Sequence, residues 1–128
     1  MRGAVRTAVS GAAHFAGFTI LTQWGQQIDQ DALPGIAVFT PREDKRRVAA
    51  GKYQRQTDVV VLIRREGAAS LEDRLDDDAS AAEAVALAAL LALAIEDAEL
   101  ASVEIDIPGS GEQRIGSAVL TFRVLQLT

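Results

Sequence analysis

The 128-residue chain contains no cysteine, one histidine (His14), one tryptophan (Trp24), one tyrosine (Tyr53) and three prolines. Without thiols, disulfides, zinc–thiolate centres and cysteine nucleophiles are excluded. With one histidine, any serine-based nucleophilic catalysis would have to recruit His14. Long apolar runs are missing too. The longest, Ala84 to Ile95, has twelve residues and opens after Glu83, so it is too short to cross a bilayer and reads as a buried helix. No acid precedes Asp29, which gives the first residues a faint look of a targeting segment, but Thr7, Ser10, Gly11 and His14 interrupt any continuous apolar stretch. The expectation is a soluble chain with no leader and no membrane contact. There is no internal repeat and no low-complexity linker.

What is present suffices for one domain over residues 1–128. Hydrophobic residues make up 48% of the chain, and folding at this length buries roughly two-thirds of the surface the unfolded chain exposes. The formal charge is −5, which gives no whole-molecule attraction for nucleic acid or anionic lipid. The distribution says more than the sum. Between Arg42 and Arg55 six basic residues accompany two acids, and between Glu72 and Asp78 five acids accompany Arg74. The molecule is polarised.

Along the chain, Val5, Val9 and Ala12, with Ala8 and Ala13 alongside, mark one face of a helix from Arg2 to about Ala16, with Gly17 as its stop. A short strand is expected over residues 18–23, a turn over 29–31, and a second strand over 36–40 that Pro41 ends by removing a ladder donor. Residues 41–56 are charged and lack apolar periodicity, so they form a long loop or the tip of an extended hairpin. The clearest strand is 57–65, whose continuous apolar run Val59 to Ile63 implies a central position covered on both faces by helices or by another subunit. Ser70 reads as an N-cap before Glu72 and Asp73, and Ser80 to Glu83 as a second capping box. Leu71, Leu75, Ala82, Val85, Ala89 and Leu93 stay in phase across both, giving one long helix or two segments with a kink near Asp78. Strands are expected over 102–107, with Val103, Ile105 and Ile107 inward, and over 117–127, separated by a turn at 108–111. The fold class is α+β, a mostly antiparallel β-sheet with two α-helices packed on one face, in the order αβββαββ.

Catalytic and metal chemistry finds little footing. Ser10 lies one turn before His14, but no G-x-S-x-G elbow exists, and a partly buried helical histidine is the simpler reading. Asp76, Asp78 and Ser80 alternate as in a calcium loop, yet the required Gly and Glu are replaced by Ala81 and Leu87. A solvated acidic helix start fits better. Gly109-Ser110-Gly111 lacks the lysine and following helix of a phosphate loop. The expectation is therefore no enzyme, no cofactor and no metal. The basic residues Arg42, Lys45, Arg46, Arg47, Lys52 and Arg55 keep three readings open. They are non-specific phosphate contact with Tyr53 as the only aromatic platform, a solvated loop, or a protein contact whose charges steer orientation.

The order of segments carries a resemblance. Leu33-Pro34-Gly35-Ile36-Ala37-Val38-Phe39-Thr40 is followed by a polar stretch and the apolar strand 58–64. Then come Leu71-Glu72-Asp73-Arg74-Leu75-Asp76 and an alanine-rich helix. Gln113-Arg114-Ile115-Gly116 stands before the alternating Leu120-Thr121-Phe122-Arg123-Val124. This arrangement, over nearly the whole chain, resembles the tail-terminator family of siphophages, also described as minor tail protein U. It departs at the end, where Leu125-Gln126-Leu127 stands in place of the usual closing aromatic.

The resemblance implies a structural virion protein of a bacteriophage or prophage. Such a subunit forms a hexameric ring that caps the tail tube, stops its polymerisation and provides the head–tail joining surface. Its partners would be further copies of itself, the tail-tube protein and a head-completion or neck protein, and DNA would pass through the ring without specific binding. Its location would be the head-proximal end of the tail, and the host cytoplasm during assembly. A ring needs unlike surfaces that meet head to tail. The candidate interface comprises Arg42, Lys45, Arg46, Arg47, Lys52 and Arg55 on one side and Glu72, Asp73, Asp76, Asp77 and Asp78 on the other, or places the basic segment against the tube. The competing readings are a neck, tail-completion or tail-tube subunit, and a small cytoplasmic ligand-binding α+β domain.

Overall fold

A computed structural model describes residues 1–21, 33–67, 70–93, 95–107 and 114–127. The elements are α1 (Arg2–Gly11), a 3-10 turn (Ala13–Phe15), β1 (Thr19–Leu21), β2 (Gly35–Ala49), β3 (Lys52–Gly67), α2 (Leu71–Leu91), β4 (Asp97–Asp106) and β5 (Arg114–Leu127). The fold is α+β with a five-stranded mixed sheet in the order β1-β2-β3-β5-β4 and two helices. Only β1 and β2 run parallel; the other neighbours are antiparallel.

The first helix is shorter than its apolar spacing suggests. It ends at Gly11 because Ala12 adopts an extended backbone, and the chain then turns through Ala13–Phe15. That break swings Phe15 into the core, and Gly17, at φ 88°, completes the reversal with a left-handed conformation that suits glycine. The first strand is described as Thr19–Leu21; its expected continuation and the turn at 29–31 lie outside the described residues.

Strand β2 does not end at Pro41. The register shifts between Phe39 and Arg42, so the proline, which has no N–H to give, sits in the irregularity while pairing resumes beyond it. Residues 41–56 are therefore the arms of a hairpin, with Ala49 opposite Lys52 and Gly51 at φ 72° in the turn. Strand β3 is central and is paired along its length by β5, from Gln54 opposite Leu127 to Gly67 opposite Arg114.

Core packing follows the strand alternation. Ile36 and Val38 of β2, Val59, Val61 and Ile63 of β3, and Ala118, Leu120, Phe122 and Val124 of β5 join Val5, Val9 and Phe15 from the N-terminal segment and the inner side of α2 in one cluster. Burying each of the larger side chains stabilises the fold by about 1.5–3 kcal/mol. Ala37 and Phe39, alternating with those residues, form a second small cluster with Leu62. Helix α2 is unbroken, and the second start signal at Ser80 lies within it. Ser70 precedes it but makes no side-chain capping hydrogen bond. Its buried stripe is Leu71, Leu75, Asp78, Ala79, Ala82, Ala86 and Leu90, whereas Val85 and Ala89 are only half-buried. Strand β4 begins at Asp97, earlier than its apolar alternation suggests, and Val103 stands opposite Leu120 on the core side, as that alternation implies, yet is exposed.

One glycine explains its own identity. A Cβ on Gly116 would lie 2.6 Å from Leu75 Cδ1, 3.1 Å from Ile107 Cγ1 and 3.2 Å from Leu71 Cδ2. Helix α2 thus closes onto β5 at a point where only a hydrogen atom fits.

Candidate interaction surface

The hairpin arm gathers all six basic residues singled out in the sequence. Arg42, Lys45, Arg46, Arg47 and Lys52 are exposed and Arg55 is half-buried. Register splits them between two faces. Arg42 and Arg46 stand opposite Asp58 and Gln54, whereas Lys45 and Arg47 stand opposite Arg55 and Tyr53. Two of the positive charges have local acidic partners: Arg42 Nε donates to Asp44 at 3.0 Å, and Arg55 Nε lies 3.8 Å from Glu43. Both pairs are largely exposed, so each contributes at most about 1 kcal/mol. Lys45 lies over the Tyr53 ring at 4.6 Å, which holds its ammonium against the arm.

The acidic group divides. Glu72, Asp73, Asp76 and Asp77 are exposed on the first turns of α2, but Asp78 is not part of that surface: it is 1% exposed. Helical phase is the reason. Asp78 lies three residues after Leu75 and four before Ala82, both fully buried, so it points inward with them. There Arg65 Nε donates to Asp78 Oδ2 at 2.8 Å and Arg65 Nη2 donates to Oδ1 at 3.0 Å. His14 Nε2 donates to Oδ1 at 2.8 Å. The guanidinium also lies 5.0 Å from the centre of the Phe18 ring, and Phe15 packs edge-on to both His14 and Phe18.

Three separate segments are thus fastened through one carboxylate. The forked arginine contact is the strong form of charge-assisted hydrogen bonding. Sequence reading missed this centre because Asp78 stands in a run of three aspartates, and its partners are 13 and 64 residues away. The only local clue was the phase shared with Leu75 and Ala82. Ser10, the hydroxyl nearest in sequence to His14, donates to the Thr7 carbonyl at 3.1 Å, so it is already committed to the backbone. The arrangement is built to tie α2 to the N-terminal segment and to β3.

The basic arm and the acidic start of α2 sit at opposite ends of the longest strand. Sixteen residues of β3 separate the hairpin turn from the approach to α2, a span of about 50 Å at the usual strand rise. The two charge groups therefore cannot neutralise one another within a subunit. A second acidic group, unnoticed in the sequence, lies on β4, where Asp97, Glu99, Glu104 and Asp106 occur without a single basic residue. At the root of the arm an open groove of about 400 Å³ is lined by Met1, Arg2, Gly3, Thr40, Glu43 and Thr57, with charges of both signs.

Among the described residues, no group of three or more histidine, aspartate or glutamate side chains converges as a metal site, and no helix is long and apolar enough to cross a membrane. Compared with known proteins, the sequence matches no family model and no curated protein.

Proposed function

We propose that this chain is a tail-terminator subunit, a non-enzymatic virion protein that forms a ring, of about six copies, on the head-proximal end of a siphophage-type tail tube. In this reading the tube stops growing beneath the ring, a head-completion protein docks above it, and DNA passes through without being gripped. In this reading both helices pack on one face of the sheet, and the exposed arm is left for contacts.

The observation that carries the reading is the arm. Residues 41–49 of β2 are exposed, and with the start of β3 they form a hairpin bearing six basic residues. An exposed charged hairpin adds little to the stability of its own subunit. Its value is in reaching a neighbour, and head-to-tail rings are built from two unlike surfaces on each subunit. The acidic first turns of α2 and the acidic strand β4 are the surfaces of opposite sign. The resemblance of segment order supports the same reading.

The test is the mass of the purified protein by light scattering across a concentration series, with negative-stain images of the main species, alone and with tail tubes. A ring of about six subunits, alone or on the tube end, is the expected result. A stable dimer indifferent to tail tubes would overturn the reading and favour a ligand-binding domain.

A further inference from the structure

Two edges of the sheet have no partner strand among the described residues. One is the outer edge of β4, the last strand of the sheet. The other is the outer edge of β2 from Thr40 onward, past Gly35, Ile36 and Ala37, which pair with β1. An unpaired edge presents a row of backbone donors and acceptors, and natural sheets blunt long edges or cover them. Strand β4 has ten residues, neither proline nor lysine, and mostly exposed side chains. The open stretch of β2, residues 40–49, is as long.

The two edges carry opposite charge. Strand β4 bears Asp97, Glu99, Glu104 and Asp106 and no base. Among the described residues its only ion pair within 4 Å is Glu99 with Arg123 at 3.9 Å, a loose and exposed one. The open stretch of β2 bears Arg42, Lys45, Arg46 and Arg47 against Glu43 and Asp44, and those two acids already have arginine neighbours. Facing also agrees. The β4 acids stand opposite Leu125, Arg123, Val119 and Ser117, which alternate with the core residues of β5. Arg42 and Arg46 stand opposite Asp58 and Gln54, which alternate with the core residues of β3. The β4 acids therefore project from the same face of the sheet as Arg42 and Arg46, the one away from the main core, while Lys45 and Arg47 lie on the other.

Direction agrees as well. Successive pairs β2–β3, β3–β5 and β5–β4 are antiparallel, so β4 runs opposite to β2. A second copy set beside the first in the same orientation brings its β2 antiparallel to β4, with its core on the same side. We infer that copies of this chain join edge to edge, the basic arm strand β2 of one pairing with the acidic edge strand β4 of the next. Like-edge pairing is opposed, since β4 on β4 would set acid against acid and β2 on β2 base against base, and like charges directly opposite are destabilising. Complementary edges thus select head-to-tail association over a symmetric dimer. The proposal rests on the ring reading and names its contact: the acids engaged are those of β4, not those at the start of α2.

The test uses the whole chain and two kinds of variant. Glu104→Arg/Asp106→Arg alters one edge and Arg42→Glu/Arg46→Glu the other, with circular dichroism checking that each folds. Each variant alone should raise the concentration for assembly by about tenfold or more. An equimolar mixture of the two should recover assembly in part, because each altered edge of one then meets an edge of opposite sign on the other, and one chain carrying all four reversals should recover it likewise. Recovery instead with Asp76→Lys/Asp77→Lys would overturn the edge pairing in favour of α2. Because the chain lacks cysteine, cross-linking gives a second readout. Ser102→Cys mixed with Asp44→Cys or Arg46→Cys should yield a mixed disulfide dimer under mild oxidation, while Ser102→Cys alone should not. Dimers from Ser102→Cys alone, or none in either mixture, would refute the pairing. A wild-type ring unaffected by either edge variant would remove this contact and leave the ring standing; a wild-type chain monomeric at every concentration, alone and on tail tubes, would remove both.

Discussion

Replacing Arg65 with methionine tests whether the buried carboxylate centre holds the two helices in place. Asp78 is 1% exposed and Arg65 19%, so solvent cannot take over the role of the missing guanidinium. The substitution removes both forked hydrogen bonds, at 2.8 and 3.0 Å, and leaves Asp78 with His14 alone. His14 is 38% exposed, a weaker and wetter partner. Removing one member of a buried ion pair costs about 3–5 kcal/mol, mostly the penalty of the stranded charge. For a domain of this size, such a loss lowers the melting temperature by roughly 10–20 °C. Urea unfolding of wild type, Arg65→Met, Asp78→Leu and the double variant, followed by circular dichroism, gives the complete cycle. The double variant should regain most of the loss, because replacing both members with apolar groups is often neutral. A loss below about 1 kcal/mol for Arg65→Met would refute the account, since that is the worth of an exposed pair. A double variant no better than the single one would show that the cost comes from lost packing rather than a stranded charge.

Gly116→Ala places a methyl group 2.6 Å from Leu75 Cδ1, a side chain with no exposed surface, and should cost about 1–3 kcal/mol in thermal or urea unfolding. Asp76→Lys/Asp77→Lys, at exposed positions, should change stability by no more than about 1 kcal/mol, whereas Asp78→Lys should prevent folding at ordinary temperature. Measured by urea midpoint, equal sensitivity at the three aspartates would count against the inward phase of Asp78. Arg46→Glu/Arg47→Glu should leave the melting temperature nearly unchanged yet weaken assembly, and the wild-type assembly should itself weaken as salt is raised. Salt-independent assembly in light scattering would take charge out of the contact.

The strands richest in local pattern were legible in the sequence alone. The run Val59 to Ile63 and the alternation through Leu120, Phe122 and Val124 name a central strand and a half-buried one, since burial on both faces or on one leaves a direct trace in side-chain polarity. The long helix was legible too, because leucines and alanines at helical spacing announce their own buried face. The arm was not. Its residues are charged and face solvent on both sides, so no apolar period marks them as strands; pairing along β3 and the turn at Gly51 make them so. Pro41 looked like an end because the sequence could not show the bulge that accommodates it.

Charge polarity was visible as a sequence fact, but its meaning depended on the fold. Composition placed Asp78 with its acidic neighbours, and only the packing of α2 against β3 and the N-terminal segment turned it into the anchor for Arg65 and His14. The acids of β4 were scattered in the sequence among ordinary alternating residues. They became an edge when the order β1-β2-β3-β5-β4 left that strand last in the sheet. Local periodicity depends on nearest neighbours along the chain and is therefore written in the sequence; which strand ends a sheet, and which carboxylate meets which guanidinium, depends on contacts between distant residues, and tertiary structure alone decides them.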